Sequence, residues 1–218
     1  MARPRGAKTR ATAVVAKLAE LYPQARCALE HSNAYELLVA TILSAQCTDE
    51  RVNMVTPSVF ARYPTPADLA HADPADLEAL IQSTGFFRQK AKSLIGMAHA
   101  VEERYGGKIP PELDDFVTLP GVGRKTGNVV RSVWFRLPGL PVDTHVIRLA
   151  GRLKLTPETD AVKIEHDLGA LVAPEEWGDL SLRLIEHGRK VCDARRPRCD
   201  ACALAPVCPS AGKVGTPA

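Results

Sequence analysis

The sequence predicts an all-α fold from three observations. Aromatic residues make up only 5% of the 218 residues, whereas alanine and leucine are abundant, which suits helices better than a β-sandwich. No stretch of any length alternates apolar and polar residues at the period of a strand. Helix-start signals instead recur along the chain. A chain that is 45% hydrophobic can bury a substantial core, in one domain or in two small lobes.

Helix boundaries follow one another through the first half of the chain. Apolar residues at helical intervals predict a helix over 12–22. Asn33, with Glu36 at the third helical position, predicts the start of a helix that is apolar almost all round and therefore buried. The later boundaries are capping residues before a proline, or glycines after the last apolar position: Thr65-Pro66, Asp73-Pro74, Gly85 and Gly106-Gly107.

The second half continues the helical pattern. A short helix containing Leu113 and Phe116 is predicted to lead into a glycine-containing turn, and another helix follows that turn. Three further helices are predicted at about 145–155, 164–172 and 177–189.

The charge of the chain is mildly basic. A net charge of +3 is compatible with nucleic acid but is too small to indicate it alone. We expect a disordered basic tail over residues 1–11, which contain no acidic residue. Its basic residues are Arg3, Arg5, Lys8 and Arg10. The absence of a signal region and of a long apolar run predicts a cytoplasmic protein without membrane contact.

The segment 119–126, with the sequence LPGVGRKT, predicts a tight turn that opens a helix. Gly121 and Gly123 allow a positive φ and a close approach of the main chain to a ligand. A helix beginning near Arg124 presents unpaired N–H groups and the positive end of its dipole, which together can bind a phosphate. The alternative is a simple corner between two helices.

Lys125 and Asp143 are the candidate catalytic residues. The helix dipole and Arg124 both oppose a positive charge on Lys125, and an amine nucleophile has to be uncharged. Asp143 precedes an apolar helical pattern, so by itself it is interpreted as a helix N-cap. Next to a lysine in a phosphate-binding cleft, it would instead be the carboxylate partner of a Schiff-base nucleophile.

Four of the six cysteines lie close together near the C-terminus. Because the chain has no secretion signal, this density argues against disulfides and predicts a metal site. The spacing by itself is compatible with either zinc or an iron–sulfur cluster, since four cysteines can bind both. The four residues, separated by six, two and five positions, are Cys192, Cys199, Cys202 and Cys208.

Taken together, LPGVGRKT, VDTH and the cysteine cluster resemble the endonuclease III family of DNA repair glycosylases, in order and spacing from about residue 34 to 208. The resemblance implies two helical lobes with a DNA-binding cleft between them. One is a six-helix barrel lobe over 27–136, with a helix–hairpin–helix at about 113–134. The other combines 12–26 with 137–209 and carries a [4Fe–4S] cluster, followed by a frayed tail over 210–218.

The same resemblance implies several DNA contacts. Gln46 would enter the gap left by an extruded base, and Phe86 would be a wedge where the family leads us to expect a smaller aliphatic residue. From the residues alone, Gln46 is a solvated polar residue and Phe86 a core aromatic. Arg195, Arg196 and Arg198 would face DNA phosphates, or would screen the charge of an anionic cluster.

The implied activity is that of a monomeric, bifunctional DNA N-glycosylase. It would remove oxidised pyrimidines of the thymine glycol type from duplex DNA. It would also cleave abasic sites by β-elimination through an imine on Lys125, assisted by Asp143. Gly121, Gly123 and Arg124 would hold a DNA phosphate.

Two other functions remain open from the sequence. A monofunctional adenine-mismatch glycosylase shares the hairpin, the aspartate and the cluster, but the resemblance predicts no lysine at position 125 in that class. A noncatalytic helix–hairpin–helix DNA-binding module with a structural metal would have no need of the Lys125 and Asp143 pair.

Overall fold

The computed structural model describes residues 4–213, and within them helices are joined by short loops without any strand. None of the described helices is both long and apolar enough to cross a membrane. The α-helices are α1 (Ala7–Leu21), α2 (Ala34–Leu43), α3 (Asp49–Arg62), α4 (Pro66–Ala70), α5 (Pro74–Ile81), α6 (Phe87–Tyr105), α7 (Leu113–Phe116), α8 (Arg124–Val133), α9 (Thr144–Arg152), α10 (Ala161–Gly169) and α11 (Trp177–Lys190).

The chain divides into two units, each with its own hydrophobic core. One unit is Cys27–Leu137, and the other combines the chain up to Arg26 with the chain from Pro138 onward. The predicted junction at 136/137 therefore differs from the observed one by a single residue. The Cys27–Leu137 unit contains the seven helices α2 to α8, of which α4 and α7 have only 5 and 4 residues.

The predicted capping residues form the bonds that their sequence positions indicate. Asn33 accepts the N–H of Glu36 at 2.9 Å, and Thr65 accepts the N–H of Asp68 at 3.2 Å. Asp73 accepts the N–H of Ala75 at 2.8 Å. Each such bond satisfies an N–H that has no partner within its helix, worth about 1 kcal/mol. These bonds begin α2, α4 and α5 at the predicted positions.

Helix α2 is the centre of its unit, as its continuous apolar sequence predicts. Eight of its ten residues are buried, among them Leu37, Leu38 and Leu43. Helix α6 packs along the same core with Leu94 and Met97, which are both fully buried. The two helices therefore provide a rigid base for the loops at their ends.

The prediction of a disordered tail over residues 1–11 is wrong from residue 7 onward, because α1 begins at Ala7. Lys8 donates to the carbonyl of Leu171 at 2.7 Å, and Arg10 donates to the carbonyl of Leu153 at 2.6 Å. These carbonyls follow α10 and α9, where a cation is favoured by the helix dipole. Arg3 lies outside the described residues.

Residues 210–213 also differ from their prediction as a frayed tail. The N–H of Ala211 donates to the carbonyl of Cys208 at 3.1 Å, and that of Lys213 to Ser210 at 3.1 Å. They form hydrogen-bonded turns, whereas residues 214–218 lie outside the described part of the chain.

Candidate functional site

The glycine-containing turn rests on α6 through two close backbone contacts. Gly121 has a φ of +73°, and a Cβ there would lie 2.4 Å from the Cβ of Ser93. A Cβ on Gly96 of α6 would lie 3.2 Å from the Cβ of Pro120. The Gly121 contact therefore requires glycine, whereas a side chain at Gly96 would need a small shift of Pro120. The buried Leu119 and Val122 hold the turn to the core.

Helix α8 begins directly after this turn without a side-chain cap. Gly123 is its N-cap residue in extended backbone conformation, with a φ of −90°. Apart from its two chain neighbours, no described residue has an atom within 4 Å of the position of a Cβ on Gly123. The N–H groups of the first turn therefore have no side-chain acceptor at the N-cap, which matches the arrangement predicted for phosphate binding.

Lys125 lies in this first helical turn and its side chain is exposed. Its ammonium makes no hydrogen bond or ion pair with any other described residue. The neighbouring Arg124 is half-buried and has a partner. The amine predicted as nucleophile is therefore accessible and is not held by another side chain.

Gln46, Phe86 and Gly121 line one hollow of about 220 Å³ in the Cys27–Leu137 unit. Gln46 has a φ of 53° and Phe86 a φ of 48°, both in the left-handed region. For residues other than glycine this conformation costs about 1–2 kcal/mol. Strain of this kind is concentrated at functional sites.

Phe86 is 68% exposed, although a phenylalanine gains free energy by burial. Its neighbour Phe87 packs against the core instead. The alternative that both aromatics are core residues is therefore wrong for Phe86. The side chain projects from the surface at the N-terminus of α6.

Lys90 lines the same hollow, and it was not predicted from the sequence. Its side chain is buried, and Nζ donates to the carbonyl of Leu43 at 2.8 Å and to that of Thr84 at 2.7 Å. Burial lowers the pKa of Lys90. Its position on the apolar stripe of α6, one helical turn before Leu94, was the available signal.

Asp143 belongs to the other unit and caps α9, as the sequence predicts. One carboxylate oxygen, Oδ1, accepts the N–H of Val146 at 2.8 Å, and the residue is half-buried. The second oxygen has no hydrogen-bond partner among the described residues. Asp143 is therefore held in place by one oxygen while the other is available to a ligand.

The four clustered cysteines line a single cavity of their unit. They are half-buried, and none of them forms a disulfide. Burial raises the pKa of the Cys202 and Cys208 thiols, so that thiolates there require a positive partner. This arrangement is suited to a positively charged metal centre.

Two arginines of α9 bind the segment that carries the cysteines. Arg148 Nε donates to the carbonyl of Cys192 at 3.1 Å. Arg152 Nη1 lies 3.2 Å from the Cys192 sulfur and donates to the carbonyl of Asp193 at 2.6 Å. Neither residue was predicted from the sequence, although arginines four positions apart lie on one face of a helix.

A buried histidine contacts a second cysteine of the group. His187 Nε2 lies 3.4 Å from the sulfur of Cys202, and Nδ1 lies 2.9 Å from the hydroxyl oxygen of Tyr22. Burial lowers the pKa of His187. The histidine thereby links Tyr22, the residue that follows α1, to the cysteine-lined cavity.

The three arginines between the first two cysteines are exposed. The guanidinium groups of Arg195 and Arg196 have no partner among the described residues, whereas their N–H groups bond to Asp193 at 2.8 and 3.0 Å. Arg198 donates to the carbonyl of Lys190. Two of the three charges are therefore fully available to an external anion.

Comparison with known proteins identifies the family. The model of the HhH-GPD superfamily base excision DNA repair proteins matches residues 39–174. Endonuclease III of Synechocystis sp. is 51% identical over 205 residues, which cover 94% of each chain.

Solved structures agree with the sequence relatives. A non-covalent endonuclease III–DNA complex aligns with a TM-score of 0.89 at 38% identity, covering 94% of this chain and 97% of that one. A trapped endonuclease III–DNA covalent intermediate, an estranged-adenine complex, aligns with a TM-score of 0.90 at 39% identity and the same coverage. The chain belongs to the endonuclease III family of the HhH-GPD superfamily, and it is a base excision repair enzyme, a DNA glycosylase and AP lyase.

Proposed function

We propose that the chain removes oxidised pyrimidines of the thymine glycol type from duplex DNA and then cleaves the abasic site by β-elimination. The observation that carries this proposal is the accessible amine of Lys125 beside the uncapped N-terminus of α8. A phosphate bound at these N–H groups would bring the adjoining sugar to the amine. The trapped covalent intermediate of a related endonuclease III supports covalent chemistry.

The first step is the extrusion of the damaged base, because its sugar cannot be attacked while the base is stacked. Unstacking costs a few kcal/mol, which inserted side chains can offset. Gln46 and Phe86 are exposed and line one hollow, which suits them to fill the gap in the duplex. Neither contact depends on the sequence of the DNA.

In the second step, the Lys125 nitrogen forms a bond to the anomeric carbon C1′ of the sugar, and the bond from C1′ to the damaged base breaks. The base leaves with the electron pair and takes up a proton. Asp143 accepts a proton from the lysine and stabilises positive charge on the sugar through its unpartnered oxygen.

In the third step, the nitrogen of Lys125 expels the ring oxygen: the C1′–O4′ bond breaks, the oxygen takes up a proton, and an imine forms between Lys125 and C1′. This imine makes the C2′ proton acidic. Loss of this proton forms a carbon–carbon double bond and breaks the bond from C3′ to oxygen, so that the 3′ phosphate leaves. Hydrolysis of the imine by water then regenerates the lysine. The amine thus supplies both the glycosylase and the lyase activity.

Phosphate contacts position the duplex. We assign one phosphate to the backbone at Gly121 and Gly123 and to Arg124, and others to Arg195, Arg196 and Arg198. Exposure of the last three supports this assignment, and the guanidinium groups of Arg195 and Arg196 have no described partner from which DNA would have to displace them.

We further propose that Cys192, Cys199, Cys202 and Cys208 hold a [4Fe–4S] cluster. The four cysteines line one cavity, and none of them forms a disulfide. Four cysteine thiolates are the ligand set that such a cluster requires. When bound, the cluster would fix the segment that displays the arginines.

The substrate proposal is tested with a duplex that contains one thymine glycol. We expect release of the free damaged base together with a strand break. The fragment on the 5′ side of the lesion should carry an unsaturated aldehyde at its 3′ end. Release of the base without a break would contradict the lyase mechanism. An intact duplex, together with cleavage of a duplex abasic site, would contradict the assigned lesion class.

We also propose that the chain acts as a monomer in the bacterial cytoplasm, on duplex DNA that contains damaged pyrimidines or abasic sites. The bacterial relative supports this compartment. Light scattering is expected to give a mass of about 23.5 kDa for the apoprotein chain. A mass of twice this value would contradict the monomer.

A further inference from the structure

The buried ammonium of Lys90 joins two separate elements of the Cys27–Leu137 unit. Leu43 is the last residue of α2, and Thr84 is the last residue of the short 3₁₀ helix Gln82–Thr84. Nζ donates to the carbonyls of both, at 2.8 and 2.7 Å. Carbonyls at the C-terminal end of a helix lack partners within it, and a cation is favoured there.

The two carbonyls are followed by the residues proposed to insert into DNA. Gln46 comes three residues after Leu43, and Phe86 comes two residues after Thr84. Both have left-handed backbone conformations, which persist only where the surrounding structure holds them. Lys90 also lines the hollow that Gln46 and Phe86 share.

A lysine at this position is costly unless it performs a specific task. Its side chain is 5% exposed, and burial of a charged group without an anionic partner is unfavourable. A leucine or methionine would continue the apolar stripe formed by Leu94 and Met97. The ammonium instead adds a pair of charge-assisted hydrogen bonds. These bonds fix the distance between the carbonyls of Leu43 and Thr84, at which the two loops begin.

We propose that Lys90 is a positioning residue that sets the distance between the Gln46 and Phe86 loops, so that both side chains enter the duplex together. The inference rests on the proposed function of these two residues. Lys90 touches neither the sugar nor Lys125 in this proposal, and it acts only through the loops.

The test compares two abasic substrates. A duplex requires insertion of both side chains, whereas a single strand offers no opposite base and requires only the amine chemistry. Cleavage is measured under single-turnover conditions for both. In parallel, 2-aminopurine placed opposite a stable abasic analogue reports unstacking by an increase in fluorescence, which does not require cleavage.

Lys90→Met removes the ammonium while keeping an unbranched apolar side chain. We expect duplex cleavage to fall about tenfold or more, since small misplacements of positioning groups have effects of this size. Single-strand cleavage should stay within about twofold of wild type, and the 2-aminopurine signal should be reduced. Phe86→Ala should reproduce this pattern. Lys108→Met, which removes an exposed lysine after α6, should behave as wild type on both substrates.

Circular dichroism verifies that Lys90→Met folds. If it does not, Lys90→Gln takes its place, because its amide retains a hydrogen-bond donor and its duplex defect should still exceed its single-strand defect. Equal losses on both substrates, or duplex cleavage and fluorescence unchanged from wild type, would overturn the proposal. A wild-type chain that cleaves neither substrate would contradict the proposed function, and the fluorescence of Lys90→Met would still decide the role of Lys90.

Discussion

Asp143 has one oxygen for the fold and one for its proposed role in the chemistry. Its Oδ1 accepts the N–H of Val146, which fixes the carboxylate at the start of α9. Its second oxygen has no partner among the described residues. A cap therefore does not compete with a catalytic role, because each uses a different oxygen.

Asp143→Asn separates the two roles. Asparagine is as good an N-cap as aspartate, so the melting temperature should change little. Base release in a single turnover should fall by about 10²-fold or more, because the neutral amide cannot accept a proton from Lys125. Asp160→Asn is the matched control, since Asp160 caps α10 in the same way. An unchanged rate for Asp143→Asn would show that the residue is only a cap.

Individual side chains differ in how far their sequence context predicts their role. The Asp143 cap was predictable because it depends on neighbours three residues away. The left-handed conformations of Gln46 and Phe86 were not, since nothing local favours them in residues with a side chain. The bonds of Lys90 were also beyond local prediction, because the Leu43 carbonyl lies 47 positions away.

Within the hairpin, the two glycines have different structural requirements. Position 121 requires glycine for two reasons: its φ is positive, and a Cβ there would overlap with Ser93. Gly123 has a φ that any residue adopts and open space around its Cα. The fold therefore requires the first glycine, whereas the open space at the second suits the proposed approach of a phosphate.

Alanine substitutions test this difference. Gly121→Ala should lower the free energy of unfolding by about 2 kcal/mol or more, through strained φ and overlap with Ser93. Gly123→Ala should change it by no more than about 0.5 kcal/mol. The Gly123→Ala variant should nevertheless bind undamaged duplex more weakly, because its methyl group stands where a phosphate approaches. Urea unfolding and fluorescence anisotropy measure the two effects. Wild-type affinity in Gly123→Ala would indicate that the turn is only a corner.

Three helix starts were predictable from local signals, whereas α3 was not predicted although Thr48 caps its start in the same local way. The caps of α2, α4 and α5 confirm the predicted start positions. The start of α1 was missed because Lys8 and Arg10 bind carbonyls more than a hundred residues away. Without knowledge of those distant carbonyls, a basic segment that lacks acidic residues is interpreted as a disordered tail.

Across the whole molecule, residues far apart in sequence come together only through the fold. Gln46, Phe86 and Gly121 share one hollow, although they lie in three separate loops. No spacing rule could have predicted this, and only the family resemblance grouped them. The four cysteines, by contrast, were predictable as a group because they lie close together in the sequence.

The exposed arginines should determine part of the salt dependence of DNA binding. Each phosphate contact contributes a slope of about 0.9 to the plot of log affinity against log salt concentration. Arg195→Ala and Arg196→Ala should each reduce the slope by about that amount on any duplex sequence. Arg62→Ala, an exposed arginine paired with Asp76 at 3.6 Å, is the control and should leave the slope unchanged. If both variants have the wild-type slope, these arginines do not contact DNA phosphates, and screening of the charge of an anionic cluster is the remaining role.

The cysteine site makes a prediction about the purified protein. We expect a yellow-brown protein with broad absorption near about 400 nm and about four irons per chain. Cys199→Ser should lose colour and iron together, whereas Cys47→Ser should keep both. A colourless wild-type protein that contains zinc would contradict the cluster.

Covalent trapping is the most direct test of Lys125 as the nucleophile. The protein is incubated with borohydride and a duplex containing thymine glycol, and the products are separated on a denaturing gel. We expect a protein–DNA adduct in the wild type and none in Lys125→Gln, which should still bind the damaged duplex. An adduct of equal yield in Lys125→Gln would place the nucleophile elsewhere. Release of the free base by the wild type without any adduct would show that water, rather than the lysine, attacks the sugar.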